Sequence, residues 1–252
     1  LAGRRVTGEI NVSCGQCPLC IRGLGKHCRD RTVLGISGRD GAFAGYLTLP
    51  MANLHAVPDA VSDEEAVFTE LLAAACEIPE RVYISSSSRV AVLGDGRLAA
   101  MAAQVLRLRT KSLTVIGADE GKLRVFAGLG MDTARLPDAG GMEESFDVVV
   151  ECTGSVTGLP DAVALTRPRG TVVLKSTFHA PMRWNPSRVA VEEITIVGSR
   201  CGPFETALEL LRDRQVATKP FLTAIYPFAK WKAAMRRARM KDAFKVLLEA
   251  GT

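Results

Sequence analysis

The sequence predicts an α/β protein built around a doubly wound parallel sheet, with a smaller β region before it. Three observations support this prediction. A short apolar strand at residues 90–93 runs through a glycine turn into an amphipathic helix. Further β-branched strands alternate with helical segments downstream, the pattern of a parallel sheet. Four of the seven cysteines crowd into residues 14–28, ahead of the sheet.

The glycine turn has the pattern Gly94-x-Gly96-x-x-Ala99 between strand and helix. The first Gly permits a tight turn, the second lets a pyrophosphate approach the backbone, and Ala99 keeps the helix close to the strand. The N–H groups at the start of the following helix bind the anion. We therefore predict a dinucleotide site here. Its residues from the turn are Gly94, Asp95, Gly96, Arg97 and Leu98.

The next strand, residues 112–117, ends at Gly117, where an acidic residue would accept hydrogen bonds from the ribose of NAD. Asp119 and Glu120 follow, so the acid is absent or displaced. Because Gly117 has no carboxylate, the 2′-phosphate of NADP is not repelled at this position. However, no Arg follows directly in the sequence to bind that phosphate. The coenzyme is therefore predicted as NAD or NADP.

Later strands are predicted within residues 146–154, 169–177 and 192–200. Because the carboxyl ends of parallel strands meet at one edge, we expect Thr153, Gly154 and Ser176 to join Gly117 and the glycine turn around one crevice. Lys175 and Ser176 could form a catalytic pair. We favour backbone and hydroxyl contacts to the coenzyme instead.

Cys14, Cys17, Cys20 and Cys28 supply four thiolates within one loop, which suits a tetrahedral zinc ion. Four sulfur ligands leave no position for water or substrate, so the site is structural in type. An iron–sulfur cluster is the alternative from spacing alone. The crowding of cysteines indicates a metal and a reducing compartment, such as the cytoplasm, in place of a disulfide framework.

The composition excludes several other classes. The apolar fraction of 47% is sufficient for a core, and no apolar segment is long enough to span a membrane. The net charge of +5 is spread along the chain except for a basic run at residues 236–241, which suits a solvated helix face. We expect no nucleic-acid and no membrane partner.

A helix is predicted over residues 66–78 after the N-cap Ser62, and Glu70 stands inside this otherwise apolar segment. Its carboxylate either reaches solvent or faces a polar cleft, and the pattern alone favours solvent.

Several motifs occur in a fixed order along the whole chain. They are the four-Cys loop, Glu70-Leu-Leu-Ala-Ala-Ala, Val92-Leu-Gly-Asp-Gly, Val150-Glu-Cys-Thr-Gly and Ala243-Phe-Lys-Val-Leu-Leu. Together they resemble the zinc-containing medium-chain dehydrogenase/reductase family of alcohol and polyol dehydrogenases.

The resemblance implies a partial GroES-like catalytic domain at residues 1–78 with the zinc lobe, a Rossmann domain inserted at 79–215, and a return to the catalytic domain at 216–252. It implies zinc in the four-Cys loop, an active-site role for Glu70, and a homodimer or larger oligomer formed through the edge strand at 192–199. The substrate would be a small alcohol or carbonyl compound.

The chain also departs from the family pattern. The family's catalytic zinc is held by a Cys and a His-Glu pair that would precede residue 1, and the three histidines are His27, His55 and His179. A catalytic zinc therefore lacks its ligand set, and we expect a truncated or inactive oxidoreductase with little turnover by itself. The alternative is a non-catalytic cofactor-binding or assembly protein, and a zinc-ribbon nucleic-acid binder is the most distant hypothesis.

Overall fold

A computed structural model describes residues 1–178 and 180–250, so His179 and the last two residues of the predicted segment 216–252 lie outside it. The strands are β1 Val6–Gly8, β2 Asn11–Val12, β3 Thr32–Val33, β4 Leu54–Ala56, β5 Arg89–Leu93, β6 Ser112–Gly117, β7 Asp132–Arg135, β8 Phe146–Glu151, β9 Thr166–Leu174, β10 Thr195–Gly198, β11 Leu222–Pro227 and β12 Lys245–Glu249. The α-helices are α1 Pro18–Ile21, α2 Asp63–Ala66, α3 Thr69–Arg81, α4 Arg97–Arg107, α5 Glu120–Gly128, α6 Gly158–Leu165, α7 Ser187–Val191, α8 Phe204–Arg212 and α9 Trp231–Ala238.

Six strands form the central sheet in the order β10-β9-β8-β5-β6-β7, and every neighbouring pair is parallel. Counted from β5, this is the strand order of the Rossmann fold, in which the chain reverses its direction of travel between β5 and β8. The predicted doubly wound parallel sheet is confirmed.

Both faces of this sheet are buried. In β5, Val90 and Val92 belong to one hydrophobic cluster with residues of α3, α4, α5 and α8, whereas Ala91 and Leu93 belong to a second cluster with residues of α6. The alternation follows from the two-residue period of a strand. Burial on both faces explains why these strands are continuous apolar runs in the sequence.

The N-terminal region contains little regular structure. β1 pairs with β4 and β2 pairs with β3, both antiparallel. The sequence predicts short β pieces over residues 34–50, and this expectation is wrong, because the chain there has turns and bends and no strand. Gly35 and Gly38 adopt positive φ angles, which turn the backbone away from an extended path.

The predicted helix at residues 66–78 is two helices. Ser62 caps α2 in a capping box with Glu65, as the N-cap signal predicted. The turn at Val67 and Phe68 separates α2 from α3, and Phe68 is fully buried at this junction. Glu70 therefore lies in the first turn of α3 and not in the middle of one longer helix.

The C-terminal segment forms its own parallel pair, β11 and β12, connected through α9. Phe221 and Phe244 from this segment pack against Phe126 of α5, with ring centroids 5.4 and 6.2 Å from it. Across a cleft of about 750 Å³, β12 faces Thr7 and residues 42–44 of the N-terminal region. The predicted domain boundaries stay predictions.

Within the described ranges, no helix combines the length and the hydrophobicity needed to cross a membrane.

Candidate coenzyme crevice and metal centre

The two glycines of the turn after β5 have different surroundings. Gly94 has a φ of +126°, and a Cβ there would lie 2.9 Å from the backbone carbon and oxygen of Cys152. Gly96 has an ordinary φ of −86°, and a Cβ there would meet nothing within 4 Å. The protein itself requires glycine at Gly94 but not at Gly96. The absence of a side chain at Gly96 would allow a ligand to approach the backbone.

The start of α4 faces the same crevice. The N–H of Ala100 donates to the carbonyl oxygen of Gly96 at 2.9 Å, which is the first bond of the helix. The preceding N–H groups of Arg97, Leu98 and Ala99 have no carbonyl one turn back within the helix, and they provide an anion site with the positive end of the helix dipole. The turn lies at the point where strand order reverses, where such folds bind ligands.

The carboxyl ends of the neighbouring strands meet this turn. The N–H of Gly94 donates to Ile116 of β6 at 2.7 Å, and the N–H of Cys152 donates to Leu93 at 2.8 Å. Asp95 contacts the end of β6, since a Cβ on Gly117 would lie 2.6 Å from its Cβ. The structure thus brings the predicted residues of the turn, Gly117 and the segment after β8 to one edge of the sheet.

A buried carboxylate that sequence reasoning missed joins the ends of β8 and β9. Glu151 is 1% exposed and accepts a hydrogen bond from the N–H of Thr153 at 2.7 Å, with further bonds from the hydroxyls of Thr153 and Ser176. Gly158 leaves the space, because a Cβ there would lie 2.4 Å from Oε1 of Glu151. No period in the sequence marks this role, since Glu151 simply ends a buried strand.

Lys175 and Ser176 do not form a catalytic pair. The Lys175 ammonium donates to the carbonyl oxygen of Ala74 at 2.7 Å and to the hydroxyl of Ser199 at 3.2 Å, away from the hydroxyl of Ser176. Burial lowers the pKa of Lys175. These hydrogen bonds connect the end of β9 to α3, so the role of Lys175 is structural.

Lys245 of β12 is a cation that the sequence does not connect with the start of α4, although Arg97 is among its charged neighbours. Lys245 of β12 places its Nζ 5.2 Å from the ring centroid of Phe68, and Arg97 and Glu70 are its charged neighbours. Burial, and after it Arg97, lowers the pKa of Lys245. The charged surroundings of Arg97, at the start of α4, therefore include Lys245 from a strand about 150 residues downstream.

Glu70, predicted as catalytic, is half-buried and lies near this pair of cations. In residues 1–178 and 180–250, the only group of three or more possible metal ligands is the four-Cys cluster. Glu70 has no companion ligands there, so a catalytic zinc does not fit the residues that the structure describes.

The four cysteines are close enough to share one ion. Their Sγ atoms are separated by 3.4 Å (Cys17–Cys20), 3.5 Å (Cys14–Cys28), 3.8 Å (Cys17–Cys28) and 3.9 Å (Cys14–Cys20). A tetrahedron of thiolates at the usual zinc–sulfur length has edges of about 3.8 Å. The donor set and its spacing fit a single zinc ion and are too tight to surround a cubane of iron and sulfur.

The Lys26 side chain connects the loop that carries the cysteines to α3 and to the segment after β10. Lys26 donates to the carboxylate of Glu77 in α3 and, at 3.2 Å, to the carbonyl oxygen of Cys201 after β10. The Glu77 side chain is 11% exposed, so this ion pair is largely removed from water. His27, which adjoins Cys28 in the sequence, is exposed.

Comparison with known proteins identifies the family. Residues 1–59 match the model of the alcohol dehydrogenase GroES-like domain, and residues 96–213 match that of zinc-binding dehydrogenases. The chain is 32% identical over 266 aligned positions to the sorbitol dehydrogenase of Halalkalibacterium halodurans, covering 98% of the chain and 76% of that relative. The chain belongs to the zinc-containing medium-chain dehydrogenase/reductase family.

Other members are more distant. An L-threonine 3-dehydrogenase of Legionella pneumophila strain Corby is 28% identical, again over 98% of the chain and 76% of the relative. The chain thus spans about three quarters of the length of these members. The predicted family and the predicted class, an alcohol or polyol oxidoreductase, are confirmed.

Solved structures show the same fold. L-idonate 5-dehydrogenase from Escherichia coli superposes with a TM-score of 0.91 at 23% identity, covering 98% of the chain and 76% of that structure. A zinc-binding dehydrogenase from Sinorhizobium meliloti 1021, bound to NADP, gives a TM-score of 0.89 at 23% identity, covering 98% and 77%. The expectation of a Rossmann sheet in a partial GroES-like region is confirmed.

Proposed function

We propose that this chain is the coenzyme-binding and structural-zinc part of a zinc-dependent, NAD(P)-linked alcohol or polyol oxidoreductase. The observation that carries the proposal is Gly96, a glycine that faces open space beside the start of α4. Its absent side chain serves a ligand rather than the fold. Relatives named for sorbitol and L-threonine, both of which carry hydroxyl groups, support an alcohol as substrate.

The coenzyme would be held mainly by backbone groups. The N–H groups that begin α4 would bind the pyrophosphate, and Arg97 and Lys245 would balance its charge. Gly154 has a φ of +67°, and a Cβ there would meet no atom within 4 Å, so the coenzyme could approach the end of β8. Thr153 and Ser176, fixed by Glu151, would position that end. Bound nicotinamide supplies hydride chemistry.

The zinc of the four-Cys loop would be structural. All four ligand positions are filled by thiolates, which leaves no site for a substrate oxygen. Its task would be to hold residues 14–28 in the shape that presents Lys26 to Glu77. Glu70 would contribute to substrate or metal chemistry only in company with ligands that the described residues do not include.

Zinc content, coenzyme binding and turnover, measured on the purified chain, test this proposal together. We expect one zinc per chain, quenching of protein fluorescence by NADH or NADPH, and little oxidation of sorbitol or L-threonine. Two zinc ions per chain with turnover would contradict the inactive form. If neither NADH nor NADPH binds, the proposal as a whole is contradicted.

We further propose that the chain forms a homodimer through β10. This strand is the edge of the central sheet, and Thr195, Ile196 and Gly198 are exposed. An exposed edge strand is a template for pairing with a second strand. Sedimentation equilibrium is expected to give twice the chain mass, and Ile196→Lys is expected to give the monomer. A monomeric wild-type chain would refute the dimer.

A further inference from the structure

The end of β6 has no side chain of its own to meet a coenzyme ribose. An acidic residue at this position normally accepts a hydrogen bond from the ribose 2′-hydroxyl of NAD, and here the residue is Gly117. A Cβ on Gly117 would lie 2.6 Å from Cβ and 2.8 Å from Oδ2 of Asp95. The side chain of Asp95 therefore occupies the space that an acid at the end of β6 would use.

The Asp95 carboxylate is held firmly in that space. Its Oδ2 accepts hydrogen bonds from the N–H of Ala118 at 2.7 Å and from the N–H of Asp119 at 2.8 Å. Its Oδ1 lies 4.0 Å from Nζ of Lys122, and within the described ranges no hydrogen bond reaches this oxygen. One carboxylate oxygen is thus committed to the chain, and the other is left to accept a bond.

We propose that Asp95 supplies, from within the glycine turn, the ribose-binding carboxylate that β6 lacks, and that it selects NAD over NADP. The inference rests on the proposed function, because it requires coenzyme binding in this crevice. A hydroxyl of the unphosphorylated ribose can donate to Oδ1 of Asp95. A 2′-phosphate can donate nothing there and would place like charges in contact.

The neighbouring charges favour the same coenzyme. The N-terminus of α5, which would otherwise attract a phosphate, is capped by Asp119, whose Oδ1 accepts from the N–H of Lys122 at 3.0 Å. Glu120 adds another carboxylate in the same turn and is paired with the exposed Arg124. Lys122 is the nearest cation, and its Nζ lies between Asp95 and the ring of Phe244, 5.4 Å from the centroid. Around the end of β6 and the start of α5, three carboxylates (Asp95, Asp119 and Glu120) therefore outnumber two cations (Lys122 and Arg124).

Dissociation constants of NADH and NADPH, measured by fluorescence titration of the full chain, test the inference without turnover. We expect NADH to bind the wild type at least about tenfold more tightly, the equivalent of one hydrogen bond to a charged group. In Asp95→Asn, the amide oxygen still accepts from both backbone N–H groups but carries no charge. We expect this variant to lose most of the preference, whereas Asp132→Asn, at an exposed carboxylate of β7 outside the glycine turn and α5, changes it less than about twofold.

A relocation of the carboxylate gives a second test that does not depend on one variant folding well. Asp95→Gly removes the side chain, and Asp95→Gly combined with Gly117→Asp returns a carboxylate to the end of β6, where the φ of Gly117 suits any residue. We expect the single variant to lose the preference for NADH and the double variant to regain it. As competitors of the bound dinucleotide, 5′-AMP and 2′,5′-ADP represent the adenosine halves of NAD and NADP. The preference for 5′-AMP should be lost in the single variant and regained in the double variant.

Equal or tighter binding of NADPH by the wild type, or an unchanged ratio in Asp95→Asn, would overturn the inference while the proposed function stands. Failure of both dinucleotides to bind would overturn the proposed function, and the inference with it.

Discussion

The coenzyme crevice and the four-cysteine loop reach their geometry by different means. In the crevice, the residues that face the ligand follow buried strands, and the sheet would hold them in place with no ligand present. In residues 14–28, the longest element is the four-residue helix α1, and in that loop only Cys28 is buried. A segment with so little apolar burial cannot offset the entropy of ordering its backbone. The crevice is therefore shaped by packing, whereas we expect the loop to depend on the zinc proposed for it.

Loss of the metal is expected to give the largest difference in response between the two regions. We expect Cys17→Ser to reduce bound zinc well below one per chain and to cost at least about 4 kcal/mol of stability, because a closed thiolate site contributes directly to folding. Residues 14–28 should become the first site of proteolysis, while NADH binding changes little.

Cys201→Ser is the matched control for that variant, since Cys201 is half-buried and lies outside the ligand set. It should retain stoichiometric zinc in a metal assay. Full zinc retention by Cys17→Ser would remove the basis for the contrast between the regions.

The next largest effect is expected in the crevice, at Gly94. An Ala there combines a φ of +126°, which L residues rarely adopt, with a contact of 2.9 Å to the backbone of Cys152. We expect Gly94→Ala to cost about 3 kcal/mol in urea unfolding, since backbone strain and a fixed neighbour add together. A loss below about 1 kcal/mol would show that the turn can relax and that packing does not shape it.

The ion pair that joins the two regions gives a smaller effect. Lys26→Met leaves the mostly buried Glu77 without its partner, and we expect a cost of about 2 kcal/mol. Adding Glu77→Leu should recover much of that loss, because two apolar groups replace the pair. Arg124→Gln breaks an exposed pair with Glu120 and should cost less than about 0.5 kcal/mol, and urea unfolding measures all three variants.

Much of the fold is predictable from local pattern. The strand at residues 112–117 is predicted at its observed bounds, because its buried Leu113, Val115 and Ile116 form a short, mainly apolar β-branched run that ends at Gly117. Residues 34–50 and the break between α2 and α3 are not predicted, since glycine turns and a single buried Phe68 decide them through tertiary contacts.

The candidate site likewise contains residues that the sequence predicts and residues that it does not predict. The glycine turn has a signature because its residues are adjacent in sequence. Lys245, Glu151 and the placement of Asp95 under β6 have none, because each depends on contacts between segments that only the folded chain brings together. Residues that act through backbone position are visible in the sequence, and residues that act through a distant partner are not.

Gly96 offers the smallest effect on stability and the sharpest test of why the crevice has its shape. A Cβ there meets nothing in the protein, so we expect Gly96→Ala to change the free energy of unfolding by less than about 0.5 kcal/mol. The same Cβ would stand where the pyrophosphate approaches, so NADH binding should weaken at least about tenfold, or 1.4 kcal/mol. Gly128→Ala, at the end of α5, also adds a Cβ to open space and should leave binding unchanged. Unaltered binding in Gly96→Ala would mean that the open space beside α4 is not the coenzyme site.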